Sequence, residues 1–454
     1  MRASIGIAVA LALAVALAPG VVRAQDAEAL RKELEALKRQ QEQYQKAIEA
    51  LSERLQRLEA APPAPAPTAP VVQAPSTPTT KTSPLSAIDL VRPREPFALY
   101  QQRGGGQLLF DMGVTGDFVG SLTQRNVQKA NGGTFAGQEN RFFPREVELS
   151  IFGQIDPYAR ADVRIEAGEG APGADSGVSL AEATITLLAL PYGTQAKLGQ
   201  MRNRFGWSNV IHEHDLPWVD RPDVNRIFLG DEGLHEKGVE ATWVPDFLPF
   251  HLELLGGVFN GDNETAFGFG RLTNPLVTGR ARAYFDLTDT NAIQIGTSVA
   301  SGETADRLHS TLLGFDLKYK YRPEGWLHPL LTLGSEGIYS IRRVEVGEDT
   351  GVFEKRTRHR FGWYGWGEVQ PWKQWAFGVR YDATQYPVNP GWQWAVEPYV
   401  TFLPSEFLRF RLAYKRTDRD HRDGFTLNGG SARTVDELLF QATFIMGAHP
   451  AHSF

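Results

Sequence analysis

The sequence predicts an all-β fold: a sixteen-stranded antiparallel transmembrane β-barrel, preceded by an N-terminal α-helical coiled coil. Three observations predict it. From about residue 94 onward, apolar and polar residues alternate with period two. The connections between these runs alternate between short turns and long polar loops. Residues 26–59, in contrast, place apolar or long side chains at alternating steps of four and three. The first two features mark a barrel in lipid, whose strands need only one apolar face. The third is the a/d seam of a coiled coil.

The chain opens with Arg2, an apolar run from Ile5 to Ala18, and small residues at Val22 and Ala24. This is the pattern of a secretory signal peptide, residues 1–24, cut after Ala24. The run is too short to span a membrane as a helix, which takes ~20 residues. Residues 25–60 form the expected periplasmic coiled coil. Its seam reads Leu30, Leu34, Leu37, Gln41, Tyr44, Ile48, Leu51, Leu55 and Leu58, and only Gln41 interrupts it. A polar seam residue costs stability but fixes register and partner number. Residues 61–93 are a Pro-rich linker, with Pro62, Pro63, Pro65, Pro67 and Pro70 among Ala and Thr. Such a segment is extended and semi-rigid.

The barrel is expected over 94–454. In 145–155, Val147, Leu149 and Ile151 oppose Glu146, Glu148 and Ser150. After Asp156-Pro157, Ala161, Val163 and Ile165 oppose Asp162, Arg164 and Glu166. Strands are predicted to start near 106, 145, 158, 178, 195, 237, 250, 277, 292, 311, 329, 358, 375, 392, 407 and 435. Long loops are expected at 120–144, 202–236, 260–276, 342–357 and 418–434. An even strand number puts both barrel ends on the short-turn, periplasmic side, where the coiled coil lies. Trp243, Phe247, Phe250, Trp326, Trp372, Trp375 and Phe407 beside the short turns read as an interfacial aromatic girdle. Phe454 ends the chain, as a terminal Phe read by the barrel assembly machinery would.

Composition narrows the function. The 454 residues include no Cys, which excludes disulfides and Cys-based sites. A formal net charge of −6 gives no reason to expect a nucleic-acid partner. No G-x-S-x-G, P-loop or H-E-x-x-H is present, and no G-x-G-x-x-G opens a helix, so the chain is not expected to be an enzyme.

Loop 202–236 carries the densest polar chemistry. Arg202, Arg204, Arg221 and Arg226 stand among Glu213, Asp215, Asp220 and Asp223 as pore-constriction candidates. The loop is acidic, whereas a phosphate filter needs clustered Arg or Lys with few carboxylates. Candidate pore-wall cations are Arg280, Arg282, Lys318, Lys320, Arg409 and Arg411, opposed by Asp111, Glu146, Glu148 and Glu182. An acidic loop facing a basic wall would set a transverse field that orients solutes. The other reading is ordinary solvated lumen charge. His212 and His214 would share one face of an extended loop and are candidate ligands for zinc. A hydrogen-bonded pair without metal is the alternative, and no other cofactor is expected.

The segments KLGQMRNRFGWSN (197–209), DLPWVDRP (215–222), FLGDEG and KGVEATW within 228–243, and GGVFNGDN (256–263) resemble the phosphate-selective porin O and P superfamily. With Asn209, His212, His214, Trp218 and the tail residues His449 and His452, the chain is also similar to a coiled-coil-bearing branch linked to zinc-responsive uptake. The resemblance implies an outer-membrane porin-like channel for passive diffusion of small polar or charged solutes. It implies a lipid-embedded homotrimer, with the coiled coil in the periplasm. Two alternatives stay open: a barrel in zinc uptake, and a structural barrel tethered to peptidoglycan. The loop's acidity departs from the phosphate pattern and favours cations or zwitterions.

Overall fold

A computed structural model describes residues 102–448, apart from 104–105, 108–109, 170–176, 264, 325–327, 348–352 and 422–432. The signal peptide, coiled-coil seam, linker, Trp326, His449, His452 and Phe454 lie outside the described residues.

Sixteen strands form one closed barrel. They are β1 (Phe110–Thr123), β2 (Arg141–Asp156), β3 (Ala159–Gly168), β4 (Gly177–Leu190), β5 (Thr194–Arg202), β6 (His235–Trp243), β7 (His251–Phe259) and β8 (Leu276–Thr288). There follow β9 (Asn291–Glu303), β10 (His309–Tyr321), β11 (Leu330–Gly347), β12 (Phe353–Trp372), β13 (Trp375–Gln385), β14 (Gly391–Ser405), β15 (Leu408–His421) and β16 (Thr434–Gly447). Every strand pairs antiparallel with its sequence neighbours. The ladder closes where β16 meets β1, from Glu437 opposite Thr123 to Gly447 opposite Gly113. Closure leaves the barrel no edge strand, so the ladder of backbone hydrogen bonds runs all the way round the wall.

The faces are inverted relative to a soluble protein. Val147, Ile185, Val258, Ile295, Leu313, Phe315, Phe377, Leu412 and Leu438 point outward and are exposed. Glu148, Glu182, Ser298, Asp316, Arg380, Glu397, Lys415 and Gln441 point inward and are buried. Residues two apart share a face, so period-two alternation decides both surfaces at once. Trp243, Phe247, Trp372, Trp375 and Phe407 are exposed beside the short turns, with the Trp375 and Phe402 rings 4.7 Å apart. An apolar band bordered by aromatic rings is a surface suited to lipid.

Two expectations need correction. The first barrel strand begins four residues past its expected start near 106. Gln102–Arg103 pair with Gly106–Gln107 in a separate two-stranded piece, and β1 starts at Phe110. Gly106 offers no side chain to pack, which weakens a strand at that position. The long loop expected at 342–357 is mostly strand. β11 and β12 stay in register from Leu330 opposite Gln370 to Gly347 opposite Phe353. Val344 is buried there, and Lys355 and Glu345 face each other at 3.5 Å. The high charge density suggested a loop, but opposite charges across an antiparallel pair support a strand.

Candidate functional site

Loop 203–234 folds into the barrel. It contains a 3-10 turn (Glu213–Asp215) and a short helix, α1 (Asp223–Leu229), which packs on β11, β12 and β13. Leu216, Trp218, Val224, Phe228 and Leu229 are buried among Phe259, Leu312, Ile338, Tyr364 and Trp366 of the wall. Trp218 is the centre of this contact. Its ring lies 5.4 Å from Tyr364, 5.2 Å from Trp366 and 6.2 Å from Trp207, each edge-on. Trp207 stacks on Trp366 at 5.8 Å.

The loop's charges split between two walls. Asp220 reaches Arg380 of β13 at 2.7 Å and Lys415 of β15 at 2.6 Å. Asp223 accepts from Lys415 at 2.9 Å and from Gln393 Nε2 at 2.6 Å, and pairs with Arg226 at 3.3 Å. Burial alone would raise the Asp220 carboxyl pKa, but the charges of Arg380 and Lys415 outweigh it and hold that carboxyl below its ordinary range. Arg226 donates to the Thr134 carbonyl at 2.8 Å and so ties α1 to the loop between β1 and β2.

The opposite side of the loop meets carboxylates of β2, β3 and β4. His212 Nδ1 lies 2.9 Å from Glu148 and 3.2 Å from Glu166, and Nε2 lies 3.3 Å from Glu182. His214 Nδ1 lies 3.1 Å from Glu146 and Nε2 3.1 Å from Asp215. Burial works against both imidazolium forms, and Arg202 adds to this at His212. The surrounding carboxylates outweigh these effects and lift the pKa to about 10 at His212 and about 9 at His214. Glu213 lies 3.6 Å from both Arg145 and Arg221, and its burial pushes its carboxyl up.

The remaining sequence candidates are placed as follows. Arg202 donates to the Glu232 carbonyl at 2.6 Å and closes the neck of the loop. Arg204 turns to the other side and binds Glu240 at 2.6 Å and Glu253 at 3.1 Å. Arg221 donates to the Ser208 and Ile211 carbonyls. Arg280 pairs with Asp316 at 2.7 Å and Arg282 with Glu253 at 2.5 Å, so these two are neutralised within the wall. Glu253 lies on β7, next to the arginines' own strand β8, and Asp316 reaches Arg280 from β10, across β9. Lys318 lies 4.3 Å over the Trp207 ring. Lys320 shares its face of β10. Arg411 donates to the Trp218 carbonyl at 2.9 Å, and Arg409 precedes it on the same inner face.

Comparisons with known proteins stand beside this geometry. No family model matches the chain. A protein of Aquifex aeolicus (strain VF5), described as an uncharacterized protein, is 28% identical over 348 residues, 68% of this chain and 69% of its own length. The anion-selective porin from Comamonas acidovorans is similar at 9% identity, covering 75% of this chain and 100% of that one, with a TM-score of 0.48. The outer membrane channel DcaP of Acinetobacter baumannii is similar at 11% identity, covering 76% and 99%, with a TM-score of 0.48. OmpT of Vibrio cholerae in its trimer form is similar at 10% identity, covering 75% and 99%, with a TM-score of 0.47.

Sequence reasoning missed Glu336, Arg380, Asp382, Glu397 and the lumen-facing pair Tyr364 and Trp366. Glu336 accepts from Ser208 Oγ at 2.8 Å and from Tyr364 Oη at 2.9 Å. The available signal was charge at alternate positions on β13, where Arg380 and Asp382 share one face. β12 gives no such signal, because Trp363, Tyr364 and Trp366 put aromatics on both faces.

Gly206 sets the loop's entry. Its φ is +70°, and a Cβ there would fall on the Glu336 carboxylate. Gly206→Ala is therefore expected to displace the start of the loop. The left-handed backbone alone costs a non-glycine residue roughly 1–2 kcal/mol. Raised single-channel conductance, with the barrel's β-sheet circular dichroism unchanged, would bear this out. Unchanged conductance would show that the loop absorbs the clash.

Proposed function

We propose that this protein is an outer-membrane channel for passive diffusion of small polar or charged solutes, narrowed by loop 203–234. The observation that carries the reading is the inverted barrel with a loop folded into its lumen. Apolar side chains face outward, while carboxylates, arginines and hydroxyls line the inside. Barrels of sixteen strands are wide enough to leave an aqueous lumen. Here two cavities flank the loop. One, of about 300 Å³, is lined by Phe135, Arg145, Glu213, Arg221, Arg226 and Glu232. Another, of about 180 Å³, is lined by Arg204, Trp207, Ile211, Glu253 and Arg282.

The solute class follows from which charges stay free. Asp220 and Asp223 are engaged by Arg380 and Lys415, and Asp215 by His214. They do not face solute as bare carboxylates, so the cation preference read from the loop's composition loses its ground. A phosphate filter gains no support either, because Arg380 meets Asp220, Asp382 and Glu397 at 2.7 Å each. The lumen is a mixed-charge path that orients polar solutes rather than selecting one sign strongly.

Purified full-length protein in planar bilayers is expected to give stable steps of open-channel current. Folded protein that stays silent at every voltage would reject the channel and favour a structural barrel.

A further inference from the structure

The face of the loop that meets β2, β3 and β4 has the donor set of a metal centre. A ring nitrogen of His212 and carboxylate oxygens of Glu146, Glu148 and Glu166 all lie within 4.8 Å of one another. We propose that these four residues bind one divalent first-row transition cation, which pins loop 203–234 to the barrel wall. This goes beyond the channel reading, which needs no ion.

Four features point to an ion rather than to a solvated acidic face. The first is the second function of the imidazole. Nδ1 faces Glu148 and Glu166, while Nε2 lies 3.3 Å from Glu182, itself outside the four-residue set. A ligating histidine is characteristically oriented this way, by a carboxylate accepting from its other nitrogen. Separations of 2.9 and 3.2 Å between Nδ1 and the two oxygens are those of neighbouring donors around an ion at about 2.0–2.2 Å.

The second feature is an orphaned oxygen. Glu148 Oε2 is buried and accepts no aligned hydrogen bond among the described residues, its near neighbour being His212 Nδ1 of the same set at 2.9 Å. The other oxygen of Glu148 is engaged by Ser150 Oγ. The third is the placement of the facing cations. Lys197 lies 3.5 Å from Glu182 and Arg202 3.9 Å from Glu166, while His212 is the only cation within ion-pair distance of Glu148 among the described residues. The fourth is access. A cavity of about 180 Å³ is lined by Glu146, Glu166, Arg202, Glu213 and Glu232 and opens onto the cluster.

The donors set the class. Imidazole beside carboxylates suits zinc, iron(II) or manganese(II), whereas calcium and magnesium take oxygen donors throughout. The ion takes the place of the Nδ1 proton of His212. His214 lies outside the four-residue set, although its ring is 5.6 Å from that of His212. The sequence expectation of a His212–His214 chelate is thereby revised to one histidine with three acids supplied by the wall.

Full-length protein in detergent, dialysed against Zn²⁺ alone and then against metal-free buffer, tests this. One tightly held Zn²⁺ per chain is expected, lost in His212→Ala and kept when His449→Ala and His452→Ala remove the tail histidines. Glu182→Gln should weaken binding about 10–100-fold, as loss of an orienting partner does. Co²⁺ should give visible absorption of a low-coordinate nitrogen–oxygen site. Where His212→Ala fails to fold, Glu166→Gln decides, with binding weakened at least about tenfold. Zn²⁺ binding unaffected by His212→Ala and Glu166→Gln, binding lost only with the tail histidines, or Ca²⁺ binding with equal strength would each overturn the proposal. Because the readout is bound metal, its failure leaves the channel reading standing, and a silent bilayer leaves the metal result standing.

Discussion

Asp220→Asn is expected to open the constriction and to shift the reversal potential in a salt gradient toward anions. Asp220 is the one loop side chain that bridges two strands of the basic wall, Arg380 at 2.7 Å and Lys415 at 2.6 Å. The substitution keeps the side chain's shape and removes one negative charge from a buried network. Breaking a buried ion pair by removing one partner costs about 3–5 kcal/mol where no other group compensates. Here Asp223, Asp382 and Glu397 still face the two cations, so the cost falls below that range. The electrostatic direction is fixed in any case, since one carboxylate fewer favours anions at that point. Because the network is buried, the shift should persist in high salt, where exposed pairs are screened. Asp215→Asn is the matched control. Asp215 pairs with His214 of the same loop, so a smaller change is expected. Reversal potential and conductance that do not move in Asp220→Asn would show that the permeation path avoids this side of the loop.

The barrel could be read from the sequence because period-two alternation acts locally. A strand such as 159–168 declares both faces within ten residues, and fifteen of the sixteen strands begin within four residues of their expected positions. The exception is β12, expected near 358 and found at Phe353, where Glu354, Lys355 and Arg356 gave the look of a loop. The site was less legible for a different reason. The loop's own residues Arg202 to Arg226 could be named, but their partners come from β2, β3, β4, β13 and β15, up to 195 positions away. Nothing local in HEHD says that Glu148, Glu166 and Glu182 will surround His212. Arg280 and Arg282 showed the opposite failure. As isolated letters they read as a basic wall, and only the closed barrel brings Asp316 and Glu253 within reach.

Trp218→Ala is expected to undock the loop while leaving the barrel intact. Trp218 is fully buried, and it joins the loop to Tyr364 and Trp366 on the inner face of β12. Truncating a buried tryptophan costs about 3–5 kcal/mol in transfer and cavity terms. That cost falls on docking, because the closed ladder of the barrel does not involve this side chain. The substitution also removes the Arg380 guanidinium's contact with the indole, 5.1 Å from its ring. Limited proteolysis of folded protein should therefore cut within 203–234 at least tenfold faster, since about 1.4 kcal/mol already gives a tenfold change in population when opening is fast relative to cleavage. Conductance should rise in parallel. Trp363→Ala provides the contrast, since its side chain, next to Tyr364 in the chain, lies on the lipid face and its loss should leave both measurements unchanged. A loop that stays protected in Trp218→Ala would mean that the ion pairs at Asp220 and Asp223, with the contacts of His212, hold it without the aromatic cluster. The two substitutions thus separate the apolar from the electrostatic part of the docking energy, and the double substitution measures their coupling.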